Sequence, residues 1–439
     1  MTTAQLRERL GDRLVLPGDG HYDRIRSVWN AMVDRRPRMI VRCADADEVA
    51  AAVRLGRELG LEIGVRCGGH SVLGMSVPED GLMIDLTPMG AVTVDPATRR
   101  ARVQGGALLG ALDVEAQRHG LATTAGNVSH TGVGGLTLGG GMGWLARQYG
   151  LSCDNVVSYE LVTADGDRLR VTRDEHPELF WALRGGGGNF GIVTEFEFQL
   201  HATGTRAYVA ELTYPLEQAA AVLRGWRDLS ADAPRQATFA ASMGRGLATV
   251  GYVWAGPTER AAELLPPLRS LGVPVTENVG ELSYVELQTR EDSPEGHAYR
   301  RYWKGHYVRG LTDEAIEAMV EHGDADMGIS LQAYGGAIAD VPDDDAAFSQ
   351  RDAAFEYVAA ARWDDAAEDA GRIAVARRTA TALEPFSSGA YVNALSDEGA
   401  AGVRRAYRPA KLDGLTAVKT SYDPENVFHL NHNIVPAAR

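Results

Sequence analysis

GNVSHTGVGGLTLGGGMG, residues 126–143, is the stretch that decides the fold of this chain. It holds eight glycines in eighteen residues and a single histidine. Glycine loses more backbone freedom on folding than any other residue, so we expect this density only where the main chain must approach something flat or charged very closely. The stretch therefore predicts a floor on which a ligand lies.

Two shorter stretches repeat the pattern: RCGGHS at residues 66–71 and RGGGGNFG at residues 184–191. We interpret 66–71 together with 126–143 as the cradle of one large cofactor, and 184–191 as a further segment that can approach a ligand. The glycine runs do not stand between a strand and a helix, as a dinucleotide-binding GxGxxG motif should, and no GxxxxGK[ST] loop is present. A doubly wound nucleotide-binding fold is therefore not expected.

The bulk composition narrows the class of ligand. A formal net charge of -15 argues against a nucleic acid held through phosphate contacts and favours a small molecule. Cys43, Cys67 and Cys153 have no metal-ligand spacing, and their odd count gives no disulfide framework. No export signal and no apolar run long enough for a membrane span is visible. We therefore expect no metal, no nucleic acid and no membrane as partners, and a cytoplasmic location.

The first part of the chain alternates short strands and helices. A helix is predicted over 45–60, because Asp45 followed by Glu48 resembles a capping signal. The other predicted elements are strands over 38–42, 61–65, 82–86, 91–95 and 100–104, a helix over 107–119, a hairpin over 156–171, a helix over 176–183 and a strand over 192–200.

At 439 residues the chain is too long for one ordinary core, so we expect more than one domain. Beyond residue 203, strands over 207–214, 237–244, 247–254 and 328–336 alternate with helices of low glycine content. This pattern favours an antiparallel sheet backed by helices. We therefore predict an α+β protein with a first domain over 1–203, a substrate domain over 204–390 and a C-terminal segment over 391–439 that returns to the first domain.

Four segments carry a resemblance to a known family. They are RCGGHS at 66–71, GVGGLTLGGGMGWLARQYGLSCDN at 132–155, ELFWALRGGGGNFGIVTEFEFQL at 178–200 and YDPENVFHLNHNI at 422–434. In this order and spacing, they closely resemble the berberine bridge enzyme-like branch of the vanillyl alcohol oxidase superfamily over nearly the whole chain. The resemblance implies a PCMH-type FAD-binding domain of two α+β subdomains, interrupted by a substrate domain.

The resemblance assigns His70 as the residue bonded through a ring nitrogen to the C8 methyl carbon of the flavin. A neutral imidazole suits this role, because it can attack an electrophilic flavin tautomer without a separate base. The other FAD-binding residues that the resemblance implies are Arg66, Gly68, Gly69, Ser71, Gly126, Asn127, Thr131, Gly132, Gly134, Gly135, Thr137, Gly139, Gly140, Gly141, Gly143, Asn155, Gly188, Gly191, Ile192, Val193, Asn431 and Asn433.

A second covalent bond to FAD is not expected. Many members of the family attach FAD also through a cysteine in a Gly-x-Cys-Pro-Thr pattern, but the matching run here, residues 126–135, has Val128 in the place of that cysteine. Cys67 and Cys153 are misplaced for this bond and are interpreted as small buried residues. In this respect the chain resembles the bacterial members that carry a single histidine link.

The catalytic residues are less clear from the sequence. Thr131 matches a position near the flavin face where oxygen reacts, and its alternative role is packing. Gln332 stands where several members carry a pocket carboxylate, although an amide cannot take a proton near pH 7. Tyr391 matches the first aromatic of a motif whose second tyrosine often serves as the base, but here Ala394 holds that second position. The remaining candidates for the base or a pocket cation are Tyr391, Tyr334 and Lys304.

The resemblance implies an FAD-dependent oxidase with covalently bound flavin. It would transfer hydride from an alcohol or amine carbon of a small molecule to the flavin, and dioxygen would accept the electrons as hydrogen peroxide. A secondary metabolite of polyketide type is the expected substrate. An oligosaccharide or cyclic amine substrate, a flavin-dependent monooxygenase and a flavin-binding protein without activity are the alternatives.

Overall fold

Three large β-sheets organise the part of the chain that the structure describes. The computed structural model describes residues 3–293, 296–323 and 327–438, which contain a four-stranded, a five-stranded and a seven-stranded sheet. The α+β class and the antiparallel sheet backed by helices are thereby confirmed. No helix among these residues has both the length and the apolar composition that a membrane crossing requires.

The four-stranded sheet lies nearest the N-terminus. Its strands follow the order Leu14–Val15, Met39–Arg42, Leu82–Asp85 and Ile63–Arg66. The last three strands run parallel, because helix Ala46–Glu58 crosses from the second strand to the fourth. The carboxylate of Asp45 accepts from the main-chain N–H of Glu48 and caps this helix.

The five-stranded sheet is antiparallel throughout. Its strands follow the order Val92–Asp95, Arg100–Gln104, Ile192–Gln199, Val156–Val162 and Arg168–Thr172. The central strand alternates buried and half-buried residues, and Phe196 packs edge-on against Tyr159 in the core beneath it. A separate strand pair, His201–Ala202 with Leu121–Ala122, follows the central strand.

The seven-stranded sheet forms the second half of the fold. Its antiparallel strands follow the order Thr276–Ser283, Arg206–Pro215, Leu247–Ala255, Ala237–Gly244, Gly328–Ala333, Phe355–Trp363 and Arg300–Val308. Helices Ala219–Ala231, Asp313–His322 and Asp369–Leu383 pack on one face around the fully buried Trp226. The opposite face carries none of these three helices and borders a cavity.

The remaining helices lie between strands of these sheets or at the two ends of the described chain. They are Thr3–Leu10, Tyr22–Arg26, Leu109–Gln117, Val133–Leu138, Ala146–Tyr149, Pro177–Leu183, Leu265–Arg269, Tyr284–Thr289, Ala337–Asp340, Gly399–Ala406 and Pro409–Tyr422. Beyond the last helix, Phe428 packs into the core of the four-stranded sheet. The buried ammonium of Lys419 donates to Asp423 (2.7 Å) and to the carbonyl of Phe428 (2.9 Å), which anchors this segment. The division into domains at residues 203 and 390 stays a prediction.

The two glycine-rich stretches at 66–71 and 126–143 touch each other main chain to main chain. A Cβ added to Gly68 would lie 2.3 Å from the main-chain nitrogen of Gly132, and a Cβ added to Gly132 would lie equally close to the nitrogen of Gly68. Real Cβ atoms do not approach this closely, so only glycine permits the contact. The contact holds the two stretches together as one surface.

We expect Gly132→Ala to destabilise the flavin-free chain by roughly 1–3 kcal/mol, because its methyl group would push the two stretches apart. Gly135→Ala is the matched control: it lies three residues later within helix Val133–Leu138, and its added Cβ would meet no atom within 4 Å. Alanine at position 135 should leave the free energy of unfolding unchanged or raise it by up to ~1 kcal/mol. Urea denaturation of the two variants checks the difference, and equal stability would contradict the packing argument.

Candidate active site

One cavity of about 850 Å³ lies between the glycine-rich stretches and the free face of the seven-stranded sheet. Strands Arg300–Val308 and Phe355–Trp363 form one wall. The other wall contains Gly68, Gly69, Gly105, Gly132, Gly134, Gly135, Gly186, Gly187, Gly188 and Gly191. We call this space the central cavity. Its volume lies within the range of about 300–1,000 Å³ that is usual for small-molecule and cofactor sites.

Packing within the protein does not explain all of these glycines. A Cβ added to Gly135 or Gly188 would meet no protein atom within 4 Å, although both residues line the central cavity. Gly135 also lies inside a helix, where alanine would be more favourable by ~1 kcal/mol. A ligand that rests directly on the main chain explains glycine at both positions.

Several polar groups near these glycines have no hydrogen-bond partner in the described part of the chain and could bind such a ligand. The main-chain N–H groups of Gly69, His70 and Ser71 donate to no acceptor among the described residues. The Oδ1 atoms of Asn431 and Asn433 are buried and have no partner there either. Buried polar groups are nearly always hydrogen-bonded. Phosphate oxygens can accept hydrogen bonds from the three N–H groups. The amide oxygens can accept one from a ring N–H donor such as that of isoalloxazine. The residues present therefore fit FAD.

His70 lies on the glycine-rich wall, in a tightly packed aromatic environment. The indole of Trp29 stacks on its imidazole at 4.8 Å and 15°. Its Nε2 lies 2.7 Å from Nδ1 of His130, and its Nδ1 lies 3.4 Å from Oγ1 of Thr131. Burial, followed by the influence of His130 and Arg301, lowers the pKa of His70 to about 3. The imidazole is therefore neutral near pH 7 and keeps a lone pair on one nitrogen.

Glu356 lies on the opposite wall of the central cavity. Its strand alternates between the two faces of the sheet: Phe355 and Tyr357 enter the core, and Glu356 and Val358 line the cavity. Removal from water raises the pKa of Glu356 to about 7, and the hydrogen bond from the Tyr334 hydroxyl (3.0 Å) only partly opposes this rise. The carboxyl group can therefore accept and release a proton near neutral pH.

Tyr391 lines the cavity near the glycine-rich wall. Its hydroxyl oxygen accepts from the main-chain N–H of Gly141 (3.0 Å) and from Nδ2 of Asn393 (2.9 Å). Burial and the nearby charge of Glu356 raise the pKa of Tyr391 well above its usual value. The phenol therefore stays protonated near pH 7, so it can donate a hydrogen bond but is a poor base.

Comparisons with known proteins agree with this geometry. A family model described as FAD binding domain matches residues 37–172, and one described as Berberine and berberine like matches residues 390–435. An FAD-linked oxidoreductase of Dictyostelium discoideum is 32% identical over 93% of this chain and 91% of its own length. The (R)-6-hydroxynicotine oxidase of Paenarthrobacter nicotinovorans is 33% identical over 96% of each chain.

The chain belongs to the berberine-like FAD-linked oxidoreductases. The crystal structure of 6-hydroxy-D-nicotine oxidase from Arthrobacter nicotinovorans is similar to it with a TM-score of 0.87 and 30% identity, over 97% of this chain and 98% of that one. FAD is thus the cofactor of this enzyme, and the family resemblance and fold expected from the sequence are confirmed.

Many of the residues expected from the sequence line the central cavity of the oxidoreductase. They are Gly68, Gly69, His70, Ser71, Thr131, Gly132, Gly134, Gly135, Gly188, Gly191, Ile192, Val193, Asn431 and Tyr391. They come from five separate parts of the sequence. Their individual contacts with FAD stay predictions.

A second group of expected glycines lies outside the cavity lining. A Cβ added to Gly139 would meet Asn393, one added to Gly140 would meet Phe348, and one added to Gly141 would meet Ser152. Additions to Gly126 and Gly143 would likewise meet Leu136 and the carbonyl of Ala125. The packing of the protein against itself accounts for glycine at these positions without any ligand.

Several expected polar residues are also bonded within the protein rather than lining the cavity. Asn155 donates to the carbonyls of Tyr149 and Leu151 and contacts His201, and Thr137 bonds Ser152. The Arg66 guanidinium donates to the carbonyl of Ile25, although its Nε has no partner among the described residues. Asn433 lies just beyond the cavity-lining Asn431 and His432.

Two of the expected catalytic side chains are likewise engaged elsewhere. Lys304 is paired with Glu398 at 2.8 Å and does not line the cavity. Gln332 accepts from Nδ2 of Asn127 at 3.3 Å, and it stands directly opposite Glu356 in the sheet register. A carboxyl group that lines the cavity, that of Glu356, is therefore found one strand away from the position where several members of the family carry theirs.

The sequence interpretation missed Glu356, although a signal for it exists. In FEYVAAARW, residues 355–363, Glu356 is an acidic residue on the same face as Val358 and Ala360. A carboxylate beside small apolar residues on one face of a strand is unusual for a solvated surface. Only the pairing of this strand with Gly328–Ala333 places it beside the expected site.

We expect Gly188→Val to abolish retention of flavin, because its side chain would occupy the central cavity where no protein atom limits it. Gly280→Val is the matched control, since Gly280 has equally open surroundings but lies on the edge strand Thr276–Ser283, away from the cavity. The ratio of flavin to protein absorbance after purification measures the effect. Normal flavin content in Gly188→Val would contradict the location of the cofactor.

Proposed function

We propose that this enzyme oxidises a C–H bond beside a hydroxyl or amine group of a small molecule, with FAD tethered through His70 and dioxygen as the electron acceptor. One observation carries the proposal: the same central cavity has His70 on its glycine-rich wall and Glu356 on its sheet wall. FAD bound there supplies the hydride acceptor and passes the electron pair on to dioxygen.

The neutral state of the His70 imidazole supports the proposed covalent bond to FAD. Its neutral imidazole borders the cavity and has one nitrogen, Nδ1, turned away from His130. No second anchor stands beside it, because Val128 lines the cavity where the family pattern would have a cysteine. Burial raises the pKa of the nearby Cys67 to about 11, which keeps that thiol protonated and unreactive.

Glu356 is proposed as the group that takes the proton from the substrate hydroxyl or amine. Its pKa of about 7 gives a large unprotonated fraction at neutral pH and still leaves useful basicity. The hydroxyl of Tyr334 holds one carboxylate oxygen, which leaves the other for the substrate. Tyr391, protonated at this pH, is proposed to donate a hydrogen bond that orients the substrate.

The lining of the central cavity favours certain classes of substrate. Trp303 and Val358 on the sheet wall, with Trp29 beside Trp303, give the cavity an apolar surface, which suits a flat or cyclic carbon skeleton. A secondary metabolite of polyketide type fits this surface. A cyclic amine is the second candidate, and the similarity to (R)-6-hydroxynicotine oxidase over nearly the full chain favours it. A cytoplasmic location stays a prediction.

A screen for hydrogen peroxide release, over polyketide-type alcohols, cyclic amines and oligosaccharides, tests the substrate class. Product that carries label from dioxygen, together with little peroxide, would instead support a monooxygenase, in which Thr131 beside His70 would contact the bound oxygen.

His70→Ala should yield protein from which acid precipitation releases all the flavin, because no other side chain among the described residues that line the cavity is proposed to hold it covalently. The wild-type chain should retain its flavin in the precipitate, and its intact mass should exceed that of the polypeptide by one FAD moiety. Cys67→Ala serves as the control, since Cys67 also lines the cavity but should not affect retention. Flavin that stays bound to the acid-precipitated His70→Ala chain would refute the tether.

Glu356→Gln should slow reduction of the flavin by substrate roughly 10²–10⁴-fold, which is the usual contribution of a general base. In the wild type, this rate should rise as pH increases through about 7, because the unprotonated carboxylate is the active form. The variant should lose this rise. Anaerobic stopped-flow absorbance measures both effects.

Glu291→Gln is the control for this experiment, because Glu291 also lines the cavity and its loss removes the same charge. Its rate should stay within a few-fold of the wild type. If Glu356→Gln kept the wild-type rate and pH profile, the base would be another residue.

A further inference from the structure

A second cavity, of about 510 Å³, lies beside the end of strand Gly328–Ala333, apart from the central cavity. Its lining comes from helix Ala219–Ala231, from the turn before helix Asp313–His322 and from the turn that follows the strand. No lining residue is shared with the central cavity. We call this space the second cavity. Its volume is usual for a small-molecule site, so it has room for a ligand other than FAD or the oxidised substrate.

Arg147 lines the second cavity and is only 7% exposed. Helix Ala146–Tyr149 carries it, and the turn after the strand packs directly against this helix. In that turn Gly335 and Gly336 have positive φ angles, and a Cβ added to Gly336 would lie 2.4 Å from the carbonyl oxygen of Arg147. Glycine at position 336 is therefore required for the turn to enclose Arg147.

The guanidinium of Arg147 is held by main-chain carbonyl groups. Nη1 donates to the carbonyl of Tyr334 at 3.2 Å, and Nη2 donates to the carbonyl of Ala233 at 3.1 Å. Nε is buried and has no partner among the described residues. A guanidinium has five N–H groups, so these two hydrogen bonds leave it able to bind a further acceptor.

Arg147 differs from the neighbouring arginines in its lack of a carboxylate partner. Arg227 also lines the second cavity, and it pairs with Asp228 at 2.8 Å. Arg235 pairs with Asp340 at 2.5 Å. In the part of the chain that the structure describes, no carboxylate forms an ion pair with Arg147. Its positive charge is thus the one that these neighbouring carboxylates leave uncompensated.

An anion in the second cavity would offset the cost of this charge. A buried charge is destabilising unless an opposite charge and hydrogen bonds compensate it. Burial, followed by the charge of Arg235, lowers the pKa of Arg147, which is the direction expected of a cation that nothing neutralises. The planar guanidinium also matches the oxygens of a carboxylate or a phosphate group, to which it forms strong charge-assisted hydrogen bonds.

We propose that the second cavity binds a small organic anion whose carboxylate or phosphate group is held by Arg147. The main-chain N–H groups of Gly335 and Gly336, which also line the cavity, donate to no acceptor among the described residues and are available to the same group. Leu311 and Phe355 contribute apolar surface for the carbon skeleton of the ligand. This site is separate from the bound flavin and does not depend on the oxidation proposed above.

Isothermal titration calorimetry of the full-length, FAD-loaded enzyme tests the site. The probes are benzoate, phenyl phosphate and benzamide, which is the neutral counterpart of benzoate. At least one of the two anions should bind, and comparison of the two shows whether the cavity prefers a carboxylate or a phosphate. Benzamide should bind at least about tenfold more weakly than benzoate, because hydrogen bonds to a charged group are stronger than those to a neutral one.

Ala231→Glu and Arg147→Gln should each weaken binding of the anion at least about tenfold, through repulsion in the first and loss of the cation in the second. Ala231 is exposed and lines the cavity at the end of its helix, so a carboxylate there repels the anion without disturbing buried packing. Ala231→Gln is the matched neutral control. Arg235→Gln removes a nearby positive charge that does not line the cavity. Both controls should keep the wild-type affinity within about threefold.

The outcomes decide the proposal even if Arg147→Gln fails to fold, since Ala231→Glu leaves the guanidinium and its carbonyl partners in place. Wild-type affinity in Ala231→Glu would overturn the proposal, because the anion would then bind elsewhere. An equal loss in Ala231→Gln would overturn it too, since bulk rather than charge would be the cause. Failure of both anions to bind the wild type, or equal affinity for benzamide and benzoate, would likewise refute an anion site.

Discussion

The main-chain contact between Gly68 and Gly132 is the constraint on which the site depends. The main chains of these two segments, about sixty residues apart in sequence, lie so close together that a Cβ atom on either glycine would overlap the other segment. Their contact places His70, His130 and Thr131 within a few ångströms of one another, and it shapes the surface on which we propose that FAD lies. The same contact thus serves both the packing of the fold and the proposed attachment of the cofactor.

The second half of the enzyme contributes the seven-stranded sheet, whose two faces have different surroundings. Helices cover one face around Trp226, while the other face presents Glu356 to the cavity. Because this carboxyl group is desolvated and held by a single tyrosine hydroxyl, burial dominates its titration. The two histidines are neutral for the same reason. Exclusion of water thus sets the protonation states on which both the proposed attachment and the proposed oxidation depend.

Local pattern predicted the secondary structure well, and its errors have physical causes. The strand expected over 100–104 agrees with the structure to the residue. The strand expected over 328–336 ends at Ala333, because Gly335 and Gly336 adopt positive φ angles in a turn. Helix Val133–Leu138 was not expected within the glycine-rich stretch, since its glycines are poor helix formers that tertiary packing holds in place.

The sequence by itself determined the family and the cofactor, and it predicted the cradle segments, because closely spaced glycines occur where the main chain must approach another group very closely. Only the tertiary structure decided which glycines line the central cavity: Gly135 and Gly188 do, whereas Gly140 and Gly141 pack against other parts of the protein. It also decided that Glu356 faces the cavity and that His130 contacts His70. These contacts join residues distant in sequence, and neither composition nor periodicity encodes which strands pair or which turns meet.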